Sequence, residues 1–247
     1  MVGRRRFNLP GQVSEDVRSI ERRATIANAK KRYFTLILVA GVLTSGFGQS
    51  LLKLPAHTSL NTTPWYDTIY QYPDFLPGRM TFSTGFSPQG TVPMNYNLYF
   101  LKIDFINEHG DTLQIKPPRE LMLVEIGNHL YFNGQREGFM EVLSKGAVSL
   151  AVKRYLATDK MDYVSGTTYS GTPVDERGTI SNYDRYYRLA ADYYFIDTNN
   201  KAQKATQTAL IKSLPARRKE VRHYLKENEI DFNDGEALMN LLSKIQQ

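Results

Sequence analysis

MNYNLYFLKIDFINEHGDTLQI, residues 94–115, is the stretch whose reading sets the fold. From Asn95 to Ile106, Tyr99, Leu101, Ile103 and Phe105 alternate with Lys102 and Asp104, the period of a strand with one buried face. Asn107-Glu108-His109-Gly110-Asp111 has the composition of a turn, with Gly110 free to take positive φ. Thr112 to Ile115 then returns as the partner strand. The spacing predicts one long strand, a turn and an antiparallel return.

The pattern repeats on both sides of this stretch. Arg79 to Ser83 also reads as a strand, and Gly85 to Pro93 as a loop. Lys116-Pro117-Pro118-Arg119 interrupts pairing. Leu121–Ile126 and Leu130–Phe132 follow as short strands joined at Gly127-Asn128, and Asn133-Gly134 is a strong turn dipeptide. Gly138–Leu143 and Ala147–Leu156 flank a turn at Lys145-Gly146. Closely spaced turn signals without a helical period predict an antiparallel meander. Such a sheet must bury its apolar side, so the expectation is a small barrel or sandwich.

Residues 157–184, rich in Ser, Thr, Gly, Asp and Tyr, read as a flexible loop. Tyr186–Ile196 resumes as a strand, Asn199-Asn200 turns it, and Lys201–Lys204 pairs back. The segment 206–247 is helical. Thr206 caps a first helix and Pro215 opens a second, reaching about Asn228, with Val221, Tyr224 and Leu225 inward. Asn233 and Glu236 have capping-box spacing before Leu238, Leu241, Leu242 and Ile245. Ile230 and Phe232 pack the connection. The fold class is therefore mainly β with C-terminal α: a β domain over 78–205, with two or three helices packed on it.

Upstream, residues 49–77 carry Pro55, Pro64, Pro73 and Pro77 among Trp65, Tyr66, Tyr70, Tyr72 and Phe75. Prolines block long regular elements, so this is a wrapping lead-in pinned by its aromatics, Trp65 being a packing residue. Residues 30–48 read as a signal peptide. Lys30, Lys31 and Arg32 precede the apolar run FTLILVAGVL, and Gly46 and Gly48 stand at the small-residue positions before Gln49. Tyr33 to Phe47 is 15 residues, short of the roughly 20 that cross a bilayer, so cleavage is favoured over a permanent anchor or a buried helix. The Arg-rich residues 1–29 are an N-terminal extension, read as the product of too early a start codon.

This division resolves the net charge of +6. Residues 1–48 hold nine basic and three acidic side chains, leaving 22 of each sign in 49–247. The exported part is formally neutral and gains little from phosphate, which argues against nucleic acid. Membrane contact comes only through the leader. Zero Cys excludes disulfides, thiolate metal sites and a thiol nucleophile.

Chemistry was sought by spacing. His57, His109, His129 and His223 form no HxH, HxxxH or HExxH pattern, and His109 and His129 fall in predicted turns. No GxSxG, GxGxxG or GxxxxGK[ST] occurs; Gly46-Phe47-Gly48-Gln49-Ser50 falls at the leader junction, and the Gly85–Gly90 run has the wrong spacing and a Pro. Asp104 and Glu125 are flanked by apolar residues, as a glycosidase pair would be. Alternation, however, puts Asp104 with Lys102 on a solvated face. Asp175 and Glu176 read as solubilising loop residues. Tyr163, Tyr169, Tyr183, Tyr186, Tyr187, Tyr193 and Tyr194 either cover a hydrophobic face or stack on a ligand. Arg217, Arg218, Lys219, Arg222 and Lys226, balanced by Glu220, Glu227 and Glu229, read as a solvated helix face. No catalytic, cofactor-binding or metal-binding residue is predicted.

The stretch 94–115, LYFNG at 130–134 and LIKSLPARRKEVRHYLKENEIDFNDGEALMNLLSKI at 210–245 resemble a family of uncharacterised secreted proteins of Bacteroidetes-type bacteria. In that family a YN, FI and GDTL strand pair precedes short strands, a variable Ser/Thr/Tyr loop and a Lys-rich helical segment. The resemblance spans most of 78–246 and implies export to the periplasm or beyond, without an activity. The expectation is an exported cell-envelope protein, non-enzymatic, that binds a protein or glycan partner. The alternative is an exported hydrolase whose carboxylate or His/carboxylate site assembles only in the fold.

Overall fold

The computed structural model describes residues 51–164 and 182–246. The leader, the extension before it and most of the predicted loop, including Tyr169, Asp175 and Glu176, lie outside the described residues.

Eleven strands form one antiparallel sheet: β1 Leu52–Leu54, β2 Leu76–Phe82, β3 Val92–Asn97, β4 Lys102–Ile106, β5 Thr112–Gln114, β6 Leu121–Ile126, β7 His129–Asn133, β8 Phe139–Ser144, β9 Ser149–Tyr163, β10 Tyr183–Ile196 and β11 Ala202–Lys204. Their order is β1-β10-β9-β8-β7-β6-β2-β3-β4-β5, with β11 added to β10. Among the described residues no ladder joins β1 to β5, so the sheet does not close into a barrel. It curls instead. Leu156 on β9 donates its amide to the carbonyl of Leu98, just past β3, at 3.0 Å. The rings of Tyr99 and Tyr187 meet edge to face with centroids 5.5 Å apart.

The long strand expected from Asn95 to Ile106 is two strands. Between β3 and β4 the chain reverses over Leu98–Leu101, with Leu101 at φ 58° and its amide bonded to the Asn97 carbonyl at 2.8 Å. The Asn97 side-chain oxygen accepts the amides of Tyr99 and Phe100 at 3.1 and 3.0 Å. An Asx-type turn supplies locally what Gly or Pro usually supplies.

The expected loop from residue 157 is also shorter. β9 runs to Tyr163 and pairs with β10 from Ser149↔Ile196 to Tyr163↔Tyr183. A register shift at Tyr186/Tyr187 leaves Asp159 without a Cα partner, and its carboxylate takes the Arg188 guanidinium at 2.9 Å. Polar composition did not prevent strand formation because a long partner satisfies the backbone.

Alternation along β9 and β10 separates two faces. Leu150 and Phe195 turn toward the helices α1 Gln207–Ser213, α2 Arg218–Glu227 and α3 Gly235–Ile245, burying Leu210, Val221, Leu238, Leu241, Leu242 and Ile245. Ala151 and Ile196 turn the other way, to Phe132 and Met140. Thr206 caps α1 by accepting the Ala209 amide at 3.1 Å. A 3₁₀ turn, Pro215–Arg217, leads into α2. The cap of α3 is Asp234, whose carboxylate accepts the Glu236 and Ala237 amides. The expected Asn233 is one residue early: Asp234 satisfies the first free amides, while the Asn233 side chain donates back to the Asp231 carboxylate at 3.2 Å. Ile230 and Phe232 pack against the same helical core.

The lead-in folds as β1 on the edge of β10 and two 3₁₀ turns, Leu60–Thr62 and Tyr66–Ile69. Leu54, Leu60, Ile69, Tyr99 and Tyr187 form its core. Trp65 packs 6.0 Å from Tyr187 and donates its indole N–H to the Lys53 carbonyl at 2.8 Å.

Candidate functional site

On the curled inner face, between the helical core and the core built on Tyr96 and Tyr131, the sheet carries a polar cluster. The pairings Tyr131↔Glu141 and Glu141↔Val152 place β7, β8 and β9 side by side. Period-two alternation then brings His129, Tyr131, Glu141 and Arg154 to one side. His129 Nδ1 lies 2.6 Å from the Glu141 carboxylate, and the Arg154 guanidinium donates to the other carboxylate oxygen. Tyr72, from the lead-in, lays its ring 4.7 Å from the imidazole and shares a 2.9 Å hydroxyl contact with Tyr131. The Tyr96 and Tyr131 rings stack at 5.2 Å.

Burial dominates the electrostatics here. Desolvation pushes the Tyr72 phenol up to about 12, with the Tyr131 hydrogen bond opposing. Burial first, and then the Tyr72 contact, drive the Tyr131 phenol well above the ordinary range. Burial likewise raises Tyr96, against the pull of Arg154. All three phenols are neutral donors at physiological pH. The Tyr96 hydroxyl, in a residue 2% exposed, has no hydrogen-bond partner among the described residues. The His129 side chain keeps 42% of its surface in solvent while Glu141 is nearly buried. A carboxylate that fixes one ring nitrogen leaves the other free for proton transfer.

Sequence reasoning placed His129 in an exposed turn. It is the first residue of β7, and its partner lies twelve positions on, across a hairpin, a pairing no spacing rule encodes. Asp104 is a second correction. It is 3% exposed rather than solvated, because the lead-in covers that face of β4. Its Oδ2 accepts from the Tyr70 hydroxyl at 3.1 Å and the Asn97 amide at 2.9 Å. Glu125 is exposed on β6, so it shares no buried site with Asp104. His109 is exposed in its turn, and His223 lies 3.3 Å from Glu227 on α2. Among the described residues no three His, Asp or Glu side chains are grouped to hold a metal ion.

The tyrosines divide by role. Tyr187 is buried against Tyr99 and Trp65, and Tyr193 packs on the helices. Tyr194 lies on the reverse face, and Tyr186 sits between the ammonium groups of Lys53 and Lys160 at 5.6 and 5.1 Å. Tyr163 and Tyr183, at the far end of the β9–β10 ribbon, stack edge to face at 5.4 Å in the open. Tyr163 is 63% exposed, with Met161 at 51% beside it.

Fold and site together define an open, curled antiparallel sheet with a helical layer on one side and an apolar, aromatic ribbon end. No protein-family model matches the chain, and no curated protein or solved structure matches it either.

Proposed function

We propose that the chain is an exported cell-envelope protein, non-enzymatic, whose β domain binds a protein or glycan partner. The ribbon end carries this reading: Met161, Tyr163, Val164 and Tyr183 keep large apolar surfaces exposed at one end of the β9–β10 ladder. Exposed aromatic pairs on a rigid ladder lose little side-chain freedom on binding and offer ring faces to sugars or apolar side chains. Export is supported by the basic n-region, the apolar run and the Gly46/Gly48 junction, and by the resemblance to secreted Bacteroidetes-type proteins. Nucleic acid is disfavoured by the balanced charge of 49–247.

Two measurements test this. Mass spectrometry of the mature N-terminus is expected to give Gln49; intact Met1 in the cytoplasmic fraction refutes export. Cross-linking and cell-wall co-sedimentation from native envelopes are expected to retain the protein and to lose it on Tyr163→Ser with Met161→Ser. Retention unchanged by that variant refutes the ribbon.

The His129–Glu141 contact favours one second reading, an exported hydrolase in which His129 is the general base and Glu141 orients it. Turnover of a chromogenic ester or glycoside that disappears in His129→Gln would replace the binding reading. A panel without turnover removes the hydrolase.

A further inference from the structure

The face of the sheet opposite the helices has its own apolar cluster, in which Phe132, Met140, Ala151 and Ile196 are buried with no helix among the described residues packed over them. A groove of about 410 Å³ opens beside it, with Met122, Phe132 and Ala202 in its floor. That volume lies in the range of ligand sites. Three separate connections bring cations to its rim: Arg119 from the segment before β6, Arg136 from the β7–β8 turn and Lys201 from the β10–β11 turn.

The rim charges differ from other cations on the sheet. Arg154, Arg188 and Lys204 are each taken up by a carboxylate, from Glu141, Asp159 and Asp192. Arg119, Arg136 and Lys201 are exposed and have no ion-pair partner among the described residues. Glu137 also lines the groove, leaving a net positive rim. Unpaired guanidinium groups around an apolar floor suit carboxylates flanking an apolar side chain. Phe132 is only 5% exposed, so the floor has no open ring face on which a sugar or base would stack.

We propose that this groove is a docking site for an acidic segment of a partner polypeptide, with an aliphatic side chain on Met122 and Ala202 and carboxylates on Arg119, Arg136 and Lys201. It is a different surface from the ribbon end and stands or falls separately.

The test uses the full chain and fluorescence anisotropy with a labelled Glu/Asp-rich decapeptide carrying a central Leu pair. A Lys-for-acid version of the same peptide and an oligogalacturonate serve as comparisons. The acidic peptide is expected to bind at least about tenfold tighter than the basic one. Arg119→Glu with Arg136→Glu is expected to erase that preference, and Lys201→Glu alone to weaken it, each with an unchanged melting temperature. Tyr163→Ser is expected to leave it unaltered. Equal affinity for both peptides, indifference to the rim variants, or oligogalacturonate binding as well as the acidic peptide would overturn the proposal. Self-association in light scattering that the rim variants abolish would also overturn it, by making a second copy the occupant.

Discussion

The amide of Leu156 on β9 donates to the carbonyl of Leu98 at 3.0 Å, although β8, β7, β6 and β2 stand between β9 and β3 in the sheet. This contact bends the two halves of the sheet toward each other. Around it, Leu156 packs against both the Tyr96 core and the lead-in core. Leu98 is buried at the point of contact.

Truncating Leu98 therefore removes apolar contact from a site held from several directions, where collapse is restricted. Leu98→Ala is expected to cost about 2–5 kcal/mol. Urea unfolding followed by far-ultraviolet circular dichroism measures it, and Trp65, the single Trp and 6.0 Å from Tyr187, reports the same region by fluorescence. Leu113→Ala on β5, where the side chain is exposed, is expected to stay within about 0.5 kcal/mol. Equal losses at the two positions would contradict the curl as a source of stability.

Gly235 opens α3 against the ring of Tyr193. A Cβ added there would lie 2.7 Å from Tyr193 Cε1 and 2.8 Å from its hydroxyl oxygen. The helix-propensity gain of Ala over Gly is at most about 1 kcal/mol. Overpacking costs about 1–3 kcal/mol, so the clash wins. Gly235→Ala is expected to lower the urea midpoint, and adding Tyr193→Leu to recover part of it beyond additivity. A fully additive pair would place the cause elsewhere.

How much was legible in the sequence depended on how local each cause is. The turn at 107–111 and the return of β5 followed from Gly110 and its polar neighbours, and the hairpins at 127–128 and 133–138 from their own turn residues. The reversal at 98–101 was hidden because a side chain, Asn97, and a left-handed Leu101 make it without Gly or Pro. Asp104 was misplaced because alternation assigns faces but not what covers them, and the covering Tyr70 arrives from a lead-in 34 positions away. The His129–Glu141–Arg154 cluster needed three strands in register. Only the alternation within each strand was readable beforehand.

Glu141 joins that cluster by contacting the Arg154 guanidinium with one carboxylate oxygen and His129 Nδ1 with the other, so removing its charge leaves both groups without their shared partner. Glu141→Gln is expected to cost about 1–3 kcal/mol, Arg154→Met a similar amount, and the double variant less than the sum. A double-mutant cycle in urea measures the coupling. Additive losses would show that the guanidinium and carboxylate are adjacent without being coupled.

Asp104 gives a prediction whose sign depends on proton linkage. Burial holds its carboxyl above the ordinary range, with the Asn97 and Tyr70 hydrogen bonds and nearby Lys102 opposing only in part. Its Oδ1 is buried with no partner among the described residues. The folded chain therefore keeps this proton to higher pH than the unfolded chain, whose carboxyl titrates near about 3.9. Between those two values the folded state binds more protons, so stability falls as pH rises. The contribution is fully present below the unfolded value and lost as pH passes through the folded one. Asp104→Asn keeps an oxygen for Tyr70 and Asn97 and cannot ionise, so it mimics the protonated carboxyl. Urea midpoints of parent and variant are expected to agree in acid, and the variant to become the more stable chain toward neutral pH. A constant separation at every pH would show that the carboxyl at 104 titrates alike in both states.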